Sequence, residues 1–149
     1  MKVCAFTGHR NLKGTDFDEQ LLERVVSDLV KNGYNRFLCG MAVGFDMKAA
    51  QAVLALKGLY DVELAACLPC ANQSERFSEK NKKLYNEILS RCDDIIVMEP
   101  EYKTGCMQMR DRYLVDNCDV LVSFLRKPSG GTYYTVQYAV KQNKKIIKV

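Results

Sequence analysis

Hydrophobic residues in this chain arrive in two alternating rhythms. Short, nearly continuous apolar runs occur at Lys2 to Phe6, Arg36 to Cys39, Val62 to Leu68, Ile95 to Met98, Val120 to Leu125 and Ile146 to Val149. Runs of this length bounded by turn residues predict strands. Between them, apolar residues recur at helical spacing. Phe17, Leu21, Leu22, Val25, Val26 and Leu29 trace one stripe, which Asn32-Gly33 ends. An Ala- and Leu-rich helix is expected from about Phe45 to Leu56, with Gly58 marking its end. Pro69 is expected to stop the third strand and Pro100 the fourth. Asn72 and Glu75 have capping-box spacing, which predicts a helix running on to about Arg91. Two more helices are expected, over Cys106 to Asn117 and Thr132 to Gln142.

Apolar strands alternating with amphipathic helices predict a parallel sheet covered on both faces. Right-handed crossovers then give an α/β, Rossmann-like, doubly wound, mostly parallel sheet of about six strands. With 149 residues, and no linker, repeat or low-complexity segment, residues 1–149 are expected to form one domain. In such a sheet every strand-to-helix junction lies on one edge, outside the carboxyl ends of the strands. Three junctions carry glycine: Thr7-Gly8-His9-Arg10, Gly40-Met41-Ala42-Val43-Gly44-Phe45-Asp46 and Ser129-Gly130-Gly131-Thr132. A helix start exposes free N–H groups and partial positive charge, so each junction suits an anion. Three on one edge predict a single pocket for a phosphate-bearing ligand.

Composition narrows this picture. Hydrophobic residues are 48% and charged residues 27%, as in an ordinary globular protein. No apolar run approaches the ~20 residues that cross a bilayer, and the N-terminus lacks a signal-peptide pattern. A cytoplasmic location without membrane association is therefore expected. Seven scattered cysteines suit a reducing compartment, not a disulfide framework. Cys67 and Cys70 have C-x-x-C spacing, but Cys67 falls in a strand, not at the helix start a redox pair uses. No further Cys or His pair completes a zinc site, and neither metal nor cofactor is expected. The net charge of +4 is concentrated partly in Lys141, Lys144, Lys145 and Lys148, with no interleaved aromatics. This argues against single-stranded nucleic acid as a partner.

Each loop admits two readings. Gly40 and Gly44 could serve turn geometry alone or allow a ligand close to the backbone. The loop is neither a Walker A sequence nor a G-x-G-x-x-G fingerprint. Asp46 could complement the helix dipole or bond a ribose hydroxyl. Thr132 could cap its helix or bind a phosphate oxygen. Arg10 could fork onto phosphate, while His9, the only histidine, could be a base or a structural or ligand-contacting residue. Arg110 and Arg112 lie two apart on one helix and point in different directions, so they do not form one clamp. Arg110 starts nearer the loop edge. Tyr133, Tyr134 and Tyr138 could offer a base a stacking ring or belong to core and surface.

These motifs together resemble the YpsA-like branch of the SLOG superfamily, which unites DprA/SMF and Lonely-Guy (LOG) proteins. The likeness covers essentially the whole chain. It rests on Thr7 to Arg10, Gly40 to Asp46, Leu68-Pro69-Cys70-Ala71-Asn72-Gln73 with Arg76-Phe77, Met109 through Asp116, Cys118-Asp119 and Gly130-Gly131-Thr132. The resemblance implies glycine loops that bind nucleotides or nucleotide-derived molecules. Thr7, Gly8, His9, Arg10, Gly40, Met41, Ala42, Gly44, Phe45, Asp46, Arg110, Gly130, Gly131 and Thr132 would then form the site. It also makes a homodimer an option. One departure matters: LOG phosphoribohydrolases resemble Pro-Gly-Gly-x-Gly-Thr-x-x-Glu, and here Thr135 takes the acidic position. Binding, as a sensor or sequestering protein, is the leading expectation. The alternative is hydrolysis of a nucleotide N-glycosidic bond, with Asp46 or Asp111 as the carboxylate and Arg110 holding phosphate.

Overall fold

Alternate residues of the inner strands sort into two separate cores, and that sorting builds the layers. The computed structural model describes residues 1–149. In chain order it contains β1 (Lys2–Gly8), α1 (Glu19–Lys31), β2 (Tyr34–Cys39), α2 (Phe45–Leu56), β3 (Glu63–Cys70) and α3 (Glu79–Ser90). There follow β4 (Asp94–Glu99), α4 (Cys106–Asp116), β5 (Val120–Phe124), α5 (Gly130–Lys141) and β6 (Lys145–Lys148). The strands form one parallel sheet in the order β4-β3-β2-β1-β5-β6. The chain steps outward from β1 to β4, then crosses back to lay β5 on the far side of β1. It is the α/β, doubly wound architecture that the alternating rhythms predict.

Side chains alternate across a strand. Cys4 and Phe6 of β1, Leu64, Ala66 and Leu68 of β3, and Val120, Val122 and Phe124 of β5 face α1, α2 and α3 in a core of 26 buried residues. Ala5, Ala65, Cys67 and Leu121 point the other way, into a core of 10 with Leu114, Val115, Val136 and Ala139 of α4 and α5. Small side chains line much of this second face, so α4 approaches the sheet closely. Arg110 of α4 thereby reaches the backbone at the strand ends, donating from Nη1 to the carbonyls of Gly40 and Cys67.

Three local expectations need correction. Pro69 does not stop β3, which continues to Cys70. The β2 ladder ends at Ala66, while β4 pairs on to Cys70, so one side of the strand is free where proline lacks its N–H. The helix expected after Asn72 starts only at Glu79, with Ser78 as its cap. Asn72 Oδ1 instead accepts from the Tyr102 amide at 2.9 Å, a contact 30 residues away. Finally, α5 starts at Gly130, so Thr132 lies inside the helix and does not cap it. No helix is long and apolar enough to cross a membrane. All seven cysteines are free thiols, and burial pushes Cys67 up to about 12, away from thiolate chemistry.

Candidate functional site

Because β1 sends the chain one way across the sheet and β5 receives it from the other, a crevice opens between their carboxyl ends. A cavity of about 790 Å³ lies there. The three glycine loops do converge on it: Thr7 to Arg10, then Ala42 and Asp46, then Ser129 to Thr132 all line its wall. So do Arg110 and Asp111 of α4. Gly40, Met41, Gly44 and Phe45 stand behind the wall. Met41 and Phe45 are fully buried core residues, and the Phe45 ring stacks on Phe124 with centroids 6.0 Å apart.

The two glycines of the middle loop are explained by close approach. A Cβ on Gly40 would come within 2.7 Å of Arg110 Nη1. Gly44 has φ +84°, where L side chains are strained, and a Cβ there would overlap the Arg10 carbonyl. The Phe45 amide donates to the His9 carbonyl at 3.2 Å. The first and second loops are thus locked backbone to backbone.

The helix starts around the rim differ from the simple expectation. α1 begins well beyond the first loop's Gly8-His9, at Glu19, and Asp18 Oδ1 already accepts from its Gln20 and Leu21 amides. α1 therefore offers nothing to the cavity. α2, α4 and α5 have no side-chain cap, and residues of their first turns line the wall: Asp46, Met107 with Gln108, and Gly130 to Thr132. The start of α4 is not among the glycine loops that the sequence singles out. Gly105, the residue before that helix and in a left-handed conformation, is the one local signal of it.

Charge is layered. Arg110 is buried, and Nε donates to Asp111 Oδ1 at 2.9 Å. Burial opposes its charge, but Asp111 and Asp46 outweigh that and raise its pKa. No hydrogen bond within the protein uses Nη2. Asp46 Oδ2 accepts from the Ala42 amide at 3.1 Å, whereas buried Oδ1 has no partner. Burial raises the Asp46 pKa to about 6, with Arg110 and the Ala42 amide opposing the shift. Above this floor, Arg10, Arg126 and Lys127 make cations outnumber carboxylates around the wall.

His9 Nε2 accepts from the Arg126 amide at 2.7 Å, tying the β1 loop to the β5 loop. Desolvation lowers its pKa, with Lys127 and Arg126 adding to the effect. The neutral ring's lone pair is therefore occupied by a loop clamp. Arg126 itself bridges Asp16 Oδ1 at 2.6 Å and the Val149 carbonyl at 3.0 Å, and lies 4.2 Å from the Phe124 ring centroid. No sequence motif marks it. Among the three candidate tyrosines only Tyr134 lines the cavity, its hydroxyl accepting from Arg112 at 2.9 Å. Tyr138 instead donates to Asp116. No three His, Cys, Asp or Glu side chains are grouped as a metal site requires.

Comparison with known proteins agrees with this architecture. The YpsA profile, described as the YspA SLOG family, matches residues 5–148. A UPF0398 protein of Halalkalibacterium halodurans is 27% identical over 148 residues, covering 90% of this chain and 78% of that protein. DNA processing protein A (DprA) of Streptococcus pneumoniae superposes with a TM-score of 0.73 at 18% identity. That of Helicobacter pylori, described for its single-stranded DNA binding mode, gives 0.74 at 21%. Each match covers 99% of this chain, which spans only 50% and 64% of those two proteins. The molybdenum cofactor carrier protein of Chlamydomonas reinhardtii gives 0.65 at 17%, covering 99% of this chain and 76% of the carrier. At such identities the likeness is one of fold. With DprA among the neighbours, the expectation against single-stranded nucleic acid as a partner finds no support here.

Proposed function

The chain belongs to the YspA SLOG family (YpsA), and from that premise we propose that it binds a nucleotide or nucleotide-derived small molecule in the cavity between β1 and β5, as a sensor or sequestering protein. One observation carries the reading: three helix starts without side-chain caps open on one cavity whose wall carries more cations than carboxylates. Unpaired amides at a helix start favour phosphate oxygens. Arg10 and the Gly130-Gly131 backbone would hold the phosphate, and Arg110 Nη2 would reach a second acceptor. Asp46 Oδ1, buried without a partner, would take a donor such as a ribose hydroxyl once ligand entry lets the side chain turn. Tyr134 would give the base a ring held by Arg112. Titration calorimetry against nucleoside mono- and diphosphates of all bases is the test. Saturable binding of at least one member is expected, and silence from every member with folded protein ends the proposal.

A second reading, hydrolysis of a nucleotide N-glycosidic bond, is favoured by two carboxylates beside one buried arginine. Asp46, with a pKa of about 6, could hold a proton for the departing base, while Asp111 activates water. Thr135 contributes no carboxylate, and its hydroxyl is spent on the Gly131 carbonyl at 2.8 Å. Incubation with nucleoside monophosphates would release free base under this reading. Release that persists after both Asp46→Asn and Asp111→Asn removes those roles.

A further inference from the structure

The two outer strands of the sheet are guarded differently. On one side β6 has four residues, and the exposed Lys145 and Lys148 stand at its ends. Lysines placed so keep an open edge from pairing with another chain. On the other side β4 runs six residues, Asp94–Glu99, with no lysine or proline among them. Ile95 is 48% exposed and Val97 43%. Ile96 packs into the core under α4 and α5, so its two neighbours face the α3 side. There α3 packs chiefly against α2, which leaves the outermost strand bare. The opposite face of this edge is apolar too. Tyr113 of α4 lies close enough to Asp94 and Arg36 to feel their charges, which puts it on the β4 flank of its helix. Met109 stands one turn before it on the same flank and is 40% exposed.

The free backbone of β4 is self-complementary. Along a strand, the N–H and C=O groups of successive residues turn alternately to either side. The Ala71 amide donates to the Glu99 carbonyl at 3.0 Å, and the Asp93 amide donates to the Leu64 carbonyl at 2.9 Å. The odd-numbered residues of β4 therefore turn to β3, and Asp94, Ile96 and Met98 turn their backbone groups outward. We propose that a second copy of this chain pairs with that edge, β4 against β4, antiparallel about a two-fold axis at Ile96. This goes beyond the ligand reading and does not depend on it.

Only outward-turned residues can bond across such a junction, and an axis at Ile96 uses all three. Ile96 exchanges both backbone hydrogen bonds with its twin, and Asp94 does so with Met98 on either side. Ile95 of one copy then meets Val97 of the other in the non-hydrogen-bonded pairs, where side chains come closest. Such an interface is isologous, so one patch supplies both halves. Charge agrees with the register. Asp94 faces Met98, not a carboxylate, and is held by Arg36 at 3.1 Å. At the ends Glu99 falls opposite Asp93, whose charge Lys57 already balances at 2.7 Å. The two six-stranded sheets become one of about twelve strands, a size that open α/β sheets reach. The antiparallel junction sets the two β1–β5 cavities on opposite edges of the joined sheet.

Analytical ultracentrifugation from micromolar to millimolar protein is expected to show a monomer–dimer equilibrium. Ile95→Lys or Val97→Lys copies the guard of β6 and should weaken the dimer about tenfold or more, with the circular dichroism of the monomer unchanged. Cysteine pairing under mild oxidation reads the register, and it tests the contact even where a lysine variant unfolds. Ile95 and Val97 of opposite copies would have Cα atoms about 4.5 Å apart, within reach of a disulfide. Ile95 and its twin would be about 7–8 Å apart, out of reach. A mixture of Ile95→Cys and Val97→Cys proteins should therefore cross-link, and either variant alone should not. Wild type, with its thiols buried or half-buried, is the control. A monomer at every concentration overturns the pairing and leaves the edge to a strand of another protein. A dimer that the lysines leave intact overturns it, as do cross-links that form equally in either variant alone.

Discussion

Two kinds of helix start divide this molecule. α1 and α3 close their own first turns with Asp18 and Ser78. α2, α4 and α5 begin at Gly44, Gly105 and Ser129, with no side chain bonded to their free amides. A missing cap forgoes about 1 kcal/mol of helix stability. The open starts are the three whose first turns surround the cavity, so that stabilisation is left for a ligand to supply. A glycine loop alone does not separate the classes: the first loop carries Gly8, yet the helix after it is closed.

The sharpest way to break this contrast is to remove the arginine beneath the open starts. Arg110→Ala strands two carboxylates and two backbone carbonyls, and should cost about 3–5 kcal/mol in urea unfolding. A loss below about 1 kcal/mol would show that the buried charge is not held as described.

Next comes Asp46, in the first turn of α2. Its folded pKa of about 6 exceeds the ordinary 3.8, so the native state binds the extra proton. The stabilisation is full below about pH 4 and lost as pH rises through about 6, an effect on the order of 3 kcal/mol. Unfolding at pH 4 and pH 7 should therefore differ between wild type and Asp46→Asn by roughly that amount. Parallel pH profiles would contradict it.

A smaller change turns an open start into a closed one. Gly131→Asp puts a carboxylate in the first turn of α5, where a Cβ meets no neighbour. Stability should hold or rise by about 0.3–1 kcal/mol, while nucleotide affinity falls about tenfold or more. If affinity survives, the α5 start is not the phosphate seat. The converse, Asp18→Ala at the closed α1, should cost about 1 kcal/mol and leave affinity untouched. Weakened binding there would erase the distinction between the two classes.

Much of the fold is legible in the chain alone. The apolar run from Val120 to Leu125 becomes β5, ending one residue earlier at Phe124. The gathering of the glycine loops follows from parallel topology, which needs only the order of elements. Capping is less legible. Asn72 and Glu75 have the spacing of a capping box, but Asn72 is claimed by Tyr102 across the rim, and no local pattern reports a partner 30 residues away. Arg126 is silent for the same reason, since its partners His9, Asp16 and Val149 are distant in sequence. Pro69 to Gln73 and Arg76-Phe77 belong to the motifs that carry the family resemblance, yet only their folded arrangement reveals a second, smaller cavity beside the first.

The amino-acid order by itself settles the layers, because strand and helix periodicity are local and burial on two faces leaves parallel pairing as the simplest solution. It also settles that the glycine turns share an edge. Which residues stand in the wall is decided by packing. Phe45 and Met41 turn into the core, Asp46 loses a hydrogen-bond partner, and Arg110 comes down onto the strand ends because the sheet beneath α4 is lined by small side chains. Exposure and pairing are properties of three-dimensional neighbours, and those neighbours exist only once the chain has folded.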